Sequence, residues 1–438
     1  MNVPRTARAR IAAALALASL AAVGTLAALA GAAPQQTTLV VQDGEAGNDA
    51  RIAAFKQLDR LFEKAHPGVT VRRISKSFGD LIKTDALQLS GANPPDVSHV
   101  NQGLPDMGQL VKAGLLTPLD GYAKRWNWGA RQSAALLALD GRVTREGKIG
   151  RGALYGISST GDLVGVFYNK AKLAKLGLGV PKTFAQFEQA LAKAQAAGET
   201  PIMFGNLDKW PAIHEYETIL LALAPRGQVA RTVFGLEGTR WTTPAALQAA
   251  RKLKEWADKG YFTDGFAGLG IDDAINRFLK GEGVFTITGT WRTGDVAKAL
   301  GAKAGLFLMP SAVRGRPAAA IASGGLAWAI PAKAKNKELA AQYIDFVTSE
   351  RAARVIQAAG DVPAYVLRGK LPAGVRGDAL AAWAQLNKTG SMVGYMDWAT
   401  PTFYDTLTAA LQEVLAGKVT PEGFVKKLDV DFLKYHRQ

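Results

Sequence analysis

The stretch Ala322–Tyr365, ASGGLAWAIPAKAKNKELAAQYIDFVTSERAARVIQAAGDVPAY, decides the fold class because each of its segments can be assigned from its pattern. The apolar run Leu326–Ile330 predicts a buried strand, which Pro331 ends. Asn336 is a good N-cap for a helix whose apolar residues fall on one face, namely Leu339, Tyr343, Phe346 and Val347. The segment therefore predicts a strand that leads into an amphipathic helix.

A second short helix is predicted directly after the first. Ser349 can cap it, and Gly360 can end it in a left-handed conformation before the extended segment Asp361-Val362-Pro363. Elsewhere the chain alternates strand and helix patterns, with strands predicted at Thr37–Val41, Val69–Ile74, Val164–Tyr168, Pro201–Gly205 and Gly283–Thr288. This alternation is typical of an α/β fold with mainly parallel sheets.

Residues 1–33 predict a secretory signal peptide. Three arginines are their only charges, an Ala-rich apolar run covers Ile11–Ala30, and small residues precede Pro34. An uncleaved membrane anchor is the alternative, but the alanine content and the small-residue cleavage sites favour removal. Ala32 stands where a lipoprotein would carry its lipidated cysteine, so we expect no lipid anchor and a periplasmic location.

Composition limits the classes of function that the chain can serve. The sequence has no cysteine, which excludes disulfides, thiolate metal sites and a cysteine nucleophile. About 400 residues remain after the leader, more than one hydrophobic core usually supports, so two domains are expected. The net charge is +16, and removing the three leader arginines leaves +13. Because the basic residues are scattered through amphipathic helices, a solvated basic surface is favoured over nucleic-acid binding.

Several short motifs follow one another along the chain in a characteristic order. Leu154-Tyr-Gly-Ile157 is followed by the segment Asp162–Lys170, which ends in Tyr-Asn-Lys, and then by Val180-Pro-Lys-Thr-Phe184. Later come Gly289-Thr-Trp291, the pair Asp397-Trp398, and a helix start in Gly417–Glu422. In this order, together with the signal peptide and the Ala322–Tyr365 stretch, the chain resembles the extracellular solute-binding proteins of family 1, the carbohydrate-binding components of ABC importers.

The resemblance covers nearly all of the chain after the leader and implies a two-lobe type II periplasmic-binding-protein fold, α/β, with discontinuous lobes and a hinged cleft between them. In that fold the chain crosses between the lobes three times, and we place the crossings near 155–160, 322–325 and 360–362. The N-lobe would then comprise residues 34–156 plus 325–359, and the C-lobe residues 157–324 plus 360–438.

A sugar site needs aromatic faces to stack on C–H groups and carboxylates or amides to pair hydroxyls. Mainly from the resemblance, we expect Trp210, Trp291 and Trp398 to line the cleft; a core position is the alternative for each. The polar candidates follow strands or lie at crossings, and their alternative is an N-cap or surface role. They are Glu45, Asn101, Asp162, Asp361 and Asp397. Trp256 and Trp328 are expected to be core residues.

The function that the resemblance implies is capture of a sugar or oligosaccharide by hinge closure and delivery to the membrane subunits of an ABC permease, by a monomer without cofactor or metal. A secreted hydrolase or lyase is disfavoured, because the four histidines form no HExxH motif and no G-x-S-x-G elbow is present. Other cargo, such as a sugar phosphate, a polyol or a polyamine, stays open. Lys209 and Arg292, beside two of the tryptophans, would admit an acidic sugar.

Overall fold

A computed structural model describes residues 36–437 of the chain. The predicted signal peptide, residues 1–33, lies outside the described residues. Within residues 36–437 no helix is both long enough and apolar enough to cross a membrane.

The described residues alternate strands and helices, as the sequence pattern predicts. The strands are β1 (Thr37–Asp43), β2 (Val69–Ser75), β3 (Val97–Val100), β4 (Arg142–Val143), β5 (Ala153–Leu154), β6 (Gly161–Asn169), β7 (Phe285–Gly289), β8 (Ala304–Phe307), β9 (Ala320–Gly324), β10 (Ala327–Ala329) and β11 (Met392–Val393). The helices of the first part of the chain are α1 (Asp49–Ala65), α2 (Phe78–Ser90), α3 (Gln109–Lys112), α4 (Asp120–Arg125), α5 (Ala134–Gly141), α6 (Lys170–Lys175), α7 (Phe184–Ala196) and α8 (Pro211–Leu223).

The remaining helices are α9 (Arg226–Val233), α10 (Pro244–Asp258), α11 (Ile271–Leu279), α12 (Thr293–Leu300), α13 (Lys337–Val347), α14 (Glu350–Ala358), α15 (Val375–Thr389), α16 (Phe403–Leu415) and α17 (Pro421–His436). Single turns of other helix types occur at Leu104–Gly108, Trp128–Ala130, Phe266–Gly268, Thr290–Arg292, Gly301–Lys303 and Met396–Ala399. Many helices begin at a Ser or Thr whose hydroxyl accepts a backbone N–H of the first turn.

The first lobe is built on a four-stranded sheet in the order β10-β3-β1-β2. The β1–β2 and β1–β3 pairs are parallel, while β10 is antiparallel to β3. One core cluster joins α1 to α13 through buried side chains that include Phe62, Trp328 and Tyr343, and a second cluster around Met107 includes Val100 and Ala327. Strand β10 comes from the late stretch 322–365, so this lobe is discontinuous in sequence.

The second lobe is built on a five-stranded sheet centred on β6, which is buried at all nine positions. Helices cover both faces: α8, α10, α16 and α17 contribute to the core on one side, and α11, α12 and α15 to the core on the other. A strand covered on both faces is apolar along most of its length, which explains the sequence of β6. Core packing thus fixes β6 as the central strand of the lobe.

The stretch that opens the sequence argument folds largely as predicted. It forms β10, α13 and α14; the Ser349 hydroxyl accepts the Ala352 N–H at 3.2 Å, and Gly360 has φ +96°. Trp328 and Trp256 are core residues, each 0% exposed. Asn336 precedes α13, but its side chain does not cap the helix, because it donates instead to Asp96 Oδ1 at 3.2 Å.

Two further expectations are wrong. The second lobe is not mainly parallel: β7, β8 and β9 are all antiparallel to β6, because β6 enters the sheet from the crossover in the opposite direction to its neighbours. Pro201–Gly205 is not a regular strand, since only Ile202 makes isolated bridges, to Phe262 and Phe285. An apolar run between two helices can fill a core without pairing along its length.

Three chain segments run side by side near the predicted crossings. Ile157 bridges to Trp328, and Thr160 bridges to Pro363. The Gly325 N–H donates to the Thr160 carbonyl at 2.8 Å, and the Gly161 N–H donates to the Val362 carbonyl at 2.8 Å. The connection between the lobes is therefore a narrow, hydrogen-bonded bundle of backbone. The residue boundaries given above for the two lobes stay a prediction.

A buried carboxylate of the last helix, α17, adds hydrogen bonds to the apolar packing that joins this helix to the second lobe. Asp429, in α17 and 5% exposed, accepts the Trp241 N–H at 2.6 Å and the Thr242 hydroxyl at 3.0 Å, just before α10. We expect Asp429→Ala to lower the free energy of unfolding by about 2 to 3 kcal/mol, because the buried N–H loses its partner. Urea unfolding measures the change. Asp258→Ala, which removes an exposed carboxylate from an i,i+4 pair with Lys254, is the control and should change stability by less than about 0.5 kcal/mol. Equal effects of the two substitutions would contradict this role of Asp429.

Candidate ligand-binding site between the lobes

One buried arginine joins the two lobes. Arg51 lies in the first turn of α1 and is only 2% exposed. Its Nη1 contacts Glu45 Oε1 at 3.2 Å within the first lobe. Its Nη2 contacts Asp162 Oδ1 at 2.7 Å, and its Nε contacts Asp361 Oδ2 at 2.5 Å. Asp162 is the second residue of β6 and Asp361 lies at the predicted third crossing, so one guanidinium ties the first lobe to both.

Burial dominates the ionisation of this ionic cluster, which comprises Arg51 with its three carboxylates. Burial raises the pKa of Glu45 and of Asp361, and the neighbouring Arg51 charge opposes the rise at both. At Arg51 burial favours loss of the proton, but the carboxylates of Asp162, Asp361 and Glu45 together raise its pKa above the usual range. The guanidinium therefore stays charged and compensates carboxylates that would otherwise repel one another.

A group of tilted and edge-on rings lies next to the ionic cluster. The Trp210 and Trp291 ring centroids are 6.4 Å apart, and the His214 ring lies 5.3 Å from the first and 5.6 Å from the second. Tyr395 lies 5.9 Å from His214 and 5.4 Å from Trp398. These five residues, the aromatic cluster, bring together the three tryptophans predicted for the cleft.

Contacts across the cleft come from both edges of the aromatic cluster. Phe78, at the start of α2 in the first lobe, meets Trp210 edge to face with centroids 6.3 Å apart. Trp398, 1% exposed, lies on the backbone of Gly103, where a β-carbon would come within 2.4 Å of Trp398 Cδ1. Gly103 also has φ +90°, which disfavours any other residue. Glycine here lets the indole of one lobe press against the other.

The N-terminus of α1 is also held from the second lobe. Asn48, which precedes the helix, makes no side-chain cap bond. Instead the Ala50 N–H donates to Asp295 Oδ1 of α12 at 3.4 Å, and Arg292 Nη1 donates to the Gly47 carbonyl at 2.7 Å. Arg292 also pairs with Asp272. Arg292, one of the two cations that would admit an acidic sugar, is therefore engaged in contacts between the lobes.

A second acidic group lies beside Trp398. Asp397 is 7% exposed, and burial and then the Glu217 carboxylate raise its pKa to about 8. Glu217 is fully buried, with Oε1 2.7 Å from His214 Nδ1, and burial raises its pKa. From the first lobe comes Asp106, hydrogen-bonded by Asn101 Nδ2 at 2.9 Å; burial raises its pKa to about 7. We call Asp397, Glu217 and Asp106 the second acidic cluster.

The structure thus divides most of the predicted site residues between two neighbouring clusters. Glu45, Asp162 and Asp361 meet at Arg51, while Trp210, Trp291 and Trp398 belong to the aromatic cluster with Asp397 beside it. Asn101 is half-buried and its amide is committed to Asp106. Sequence reasoning missed Arg51, His214, Glu217 and Tyr395. Only Tyr395 carried a signal, since it stands two residues before Asp397-Trp398 in a short segment between helices.

The arrangement is suited to binding a polar molecule that also has apolar faces. Flat rings can stack on C–H surfaces, and ionised carboxylates accept hydrogen bonds from hydroxyl or ammonium donors. Within residues 36–437 no group of three or more His, Cys, Asp or Glu residues has the arrangement of a metal site.

Comparison with known proteins agrees with this description. The family model for bacterial extracellular solute-binding proteins matches residues 45–354. A multiple sugar-binding protein of Streptococcus mutans is 24% identical over 310 residues, which cover 68% of this chain and 69% of that protein. A structure of a chitin oligosaccharide binding protein superimposes with a TM-score of 0.75 at 21% identity, covering 92% of this chain and 100% of that one. The raffinose complex of the solute-binding protein RafE gives a TM-score of 0.69 at 22% identity, covering 90% and 98%.

The structural similarities establish the two-lobe type II fold and, because the sequence identities are low, only the fold. The family model spans most of the chain, including Glu45, Arg51, Asp162, Trp210 and Trp291. The chain therefore belongs to the family of bacterial extracellular solute-binding proteins.

Proposed function

We propose that this protein is the substrate-binding component of an ABC importer, which captures a sugar or oligosaccharide between its lobes and delivers it to a membrane permease. The observation that carries the proposal is the aromatic cluster, placed between two sets of buried carboxylates at the contact between the lobes. The named sugars of the relatives, chitin oligosaccharide and raffinose among them, support a carbohydrate as the ligand class.

In this proposal the aromatic rings stack on the sugar and the carboxylates accept its hydroxyl hydrogen bonds. Trp210 and Trp291 are half-buried, so part of each ring is open to stack on the C–H face of a sugar. Asp397 and Asp162 are buried but not fully enclosed, at 7% and 6% exposed, and can accept hydroxyl hydrogens. A ligand that lacks one hydroxyl would leave a buried acceptor unpaired, at about 1 to 3 kcal/mol, which gives selectivity.

Capture would proceed by hinge motion about the three adjacent chain segments. For a ligand to enter, the Phe78–Trp210 contact, the Arg292–Gly47 hydrogen bond and the packing of Trp398 on Gly103 must separate. Closing the lobes again excludes water from the ligand and strengthens its hydrogen bonds. The closed form is then the species that docks on the permease. We place the protein in the periplasm as a monomer with its leader removed, and assign it neither catalysis nor nucleic-acid binding.

The proposal is tested by screening the leaderless protein against mono- and oligosaccharides by thermal shift, followed by isothermal titration calorimetry of each hit. Saturable, one-to-one binding with the sugar recovered unchanged supports a receptor. Turnover of an oligosaccharide would support the hydrolase or lyase alternative instead.

The contribution of the aromatic cluster can be measured at Trp291. We expect Trp291→Ala to weaken sugar binding by about tenfold or more, equivalent to about 1.4 kcal/mol, because a stacking face is lost. Calorimetry gives the affinity, and circular dichroism checks the fold. Trp126→Ala is the matched control, since Trp126 stacks on Tyr122 at the first-lobe surface, away from the cleft. Unchanged affinity for Trp291→Ala would remove this indole from the site.

The ionic cluster predicts that Arg51 holds the ligand-free lobes together. Arg51→Ala leaves Glu45, Asp162 and Asp361 buried without their counter-charge, which we expect to destabilise the closed form by about 3 to 5 kcal/mol. Small-angle scattering should show a larger radius of gyration for the variant, with helix content retained. Arg125→Ala removes an exposed ion pair with Glu338 and serves as the control. An identical scattering profile for Arg51→Ala and wild type would refute the role.

The raised carboxyl pKa values predict how stability depends on pH. Asp397, with a pKa of about 8, and Asp106, with a pKa of about 7, keep their protons in the folded state at pH values where the unfolded chain has lost them. Each group therefore lowers stability by up to about 1.4 kcal/mol per unit as pH rises from about 5 to its folded pKa. We expect urea midpoints to fall over this range and the fall to be smaller in Asp397→Asn. Midpoints that rise steadily from pH 5 to 8 would contradict the assignment.

A further inference from the structure

The contact between the lobes holds more acidic side chains than basic ones, the reverse of the chain as a whole. The full sequence has a net charge of +16. At the cleft, however, one arginine faces three carboxylates in the ionic cluster, and Asp397, Glu217 and Asp106 lie nearby. Tyr395 links the two sets, because the charges of Asp162, Glu217 and Asp397 all act on its phenol. The basic surface therefore gives no indication of the ligand's charge.

Two carboxyl groups at this contact are incompletely paired. Asp397 is 93% buried, yet no basic side chain among residues 36–437 forms an ion pair with it. Glu217 is 0% exposed; Oε1 meets His214 Nδ1, but Oε2 has no hydrogen-bond partner among the described residues. Buried carboxylate oxygens are normally hydrogen-bonded, and an unpaired one is costly. Glu217 Oε2 can therefore accept a donor, and Asp397 a positive charge, that the described residues do not provide.

Two arginines near the contact between the lobes are already engaged. Arg73 pairs with Asp43 and Asp59, each at 2.7 Å, inside the first lobe. Arg292 pairs with Asp272 and donates to the Gly47 carbonyl. His99 is neutral, because burial and then the charge of Arg73 lower its pKa well below its usual range. Carboxyl groups therefore outnumber arginine and lysine side chains at this contact.

We propose that the captured ligand is an amine-bearing sugar, and that Asp397 and Glu217 receive its ammonium group next to the rings of Tyr395 and Trp398. This inference rests on the proposed function and narrows its ligand class. An ammonium group has three donors and forms short, charge-assisted hydrogen bonds with carboxylates, and its positive charge favours loss of the protons that burial holds on Asp397 and Glu217. It is also attracted to the face of a tryptophan or tyrosine ring. A uronate or a sugar phosphate would instead add a like charge to an acidic site.

The test uses matched sugars that differ in one group, with the wild-type leaderless protein and calorimetry at a pH where the amine is protonated. One set is glucosamine, glucose and glucuronate, and a second is galactosamine, galactose and galacturonate. A chitosan oligosaccharide and its N-acetylated counterpart form a longer pair, and spermidine is an amine without a sugar. We expect the amine-bearing member of the set that binds to be about tenfold or more tighter than the neutral member, and the uronate to be the weakest.

A pair of substitutions locates the effect. Asp397→Asn should reduce the preference for the amine to about twofold or less, because the amide oxygen still accepts a hydroxyl hydrogen but carries no charge; any loss of neutral-sugar affinity should be smaller than the loss of amine affinity. Asp405→Asn, which removes an exposed carboxylate from α16, should keep the full preference. Thermal unfolding of both variants checks that they are folded, and the wild-type comparison is decisive without them.

The outcomes separate this inference from the function on which it rests. Neutral and amine-bearing sugars of equal affinity, or a uronate that binds tightest, would overturn the inference and leave sugar capture intact. Spermidine binding with no sugar bound, or no binding by any member of either set or of the oligosaccharide pair, would overturn both.

Discussion

The structure depends on the buried contact between Arg51 and three carboxylates that come from distant parts of the chain. Glu45 and Arg51 lie near the start of the first lobe, Asp162 is the second residue of the central strand of the second, and Asp361 lies at the predicted third crossing. Burying four ionisable groups is favourable only while all of them are paired, so the cluster tolerates one relative position of the lobes far better than others. It therefore couples the geometry of the hinge to the electrostatics of the cleft.

The regular elements could be predicted from the sequence wherever local signals agreed with one another. The stretch 322–365 combined an apolar run, a proline, a Ser cap and a glycine in the right order, and it forms β10, α13 and α14 as expected. Pro201–Gly205 had only apolar character, and tertiary packing made it a core segment with isolated bridges. The antiparallel setting of β6 was also beyond the sequence, because strand direction depends on where the chain enters a sheet and not on the residues of the strand.

The site shows the same limit more clearly. Tryptophans beside glycine, proline or polar residues at strand ends carried a usable signal, and Trp210, Trp291 and Trp398 belong to one aromatic cluster. Arg51 carried no signal, because an arginine in the first turn of an amphipathic helix normally faces solvent, and only the approach of the second lobe buries it. His214 and Glu217 lie in a helix buried along nearly its whole length, where a polar residue gives no indication of the surface it faces.

The exchange of segments between the lobes also governs when each can fold during synthesis. Strand β10, at Ala327–Ala329, completes the first sheet beside β3, and α17, which contributes Asp429 to the second lobe, ends at His436. Neither lobe can close its core until most of the polypeptide has left the ribosome. Such long-range pairing slows folding and keeps apolar segments exposed for longer. The same chain path that brings three backbone segments together between the lobes thus gives the nascent chain an extended period in an incompletely folded form that a chaperone can engage.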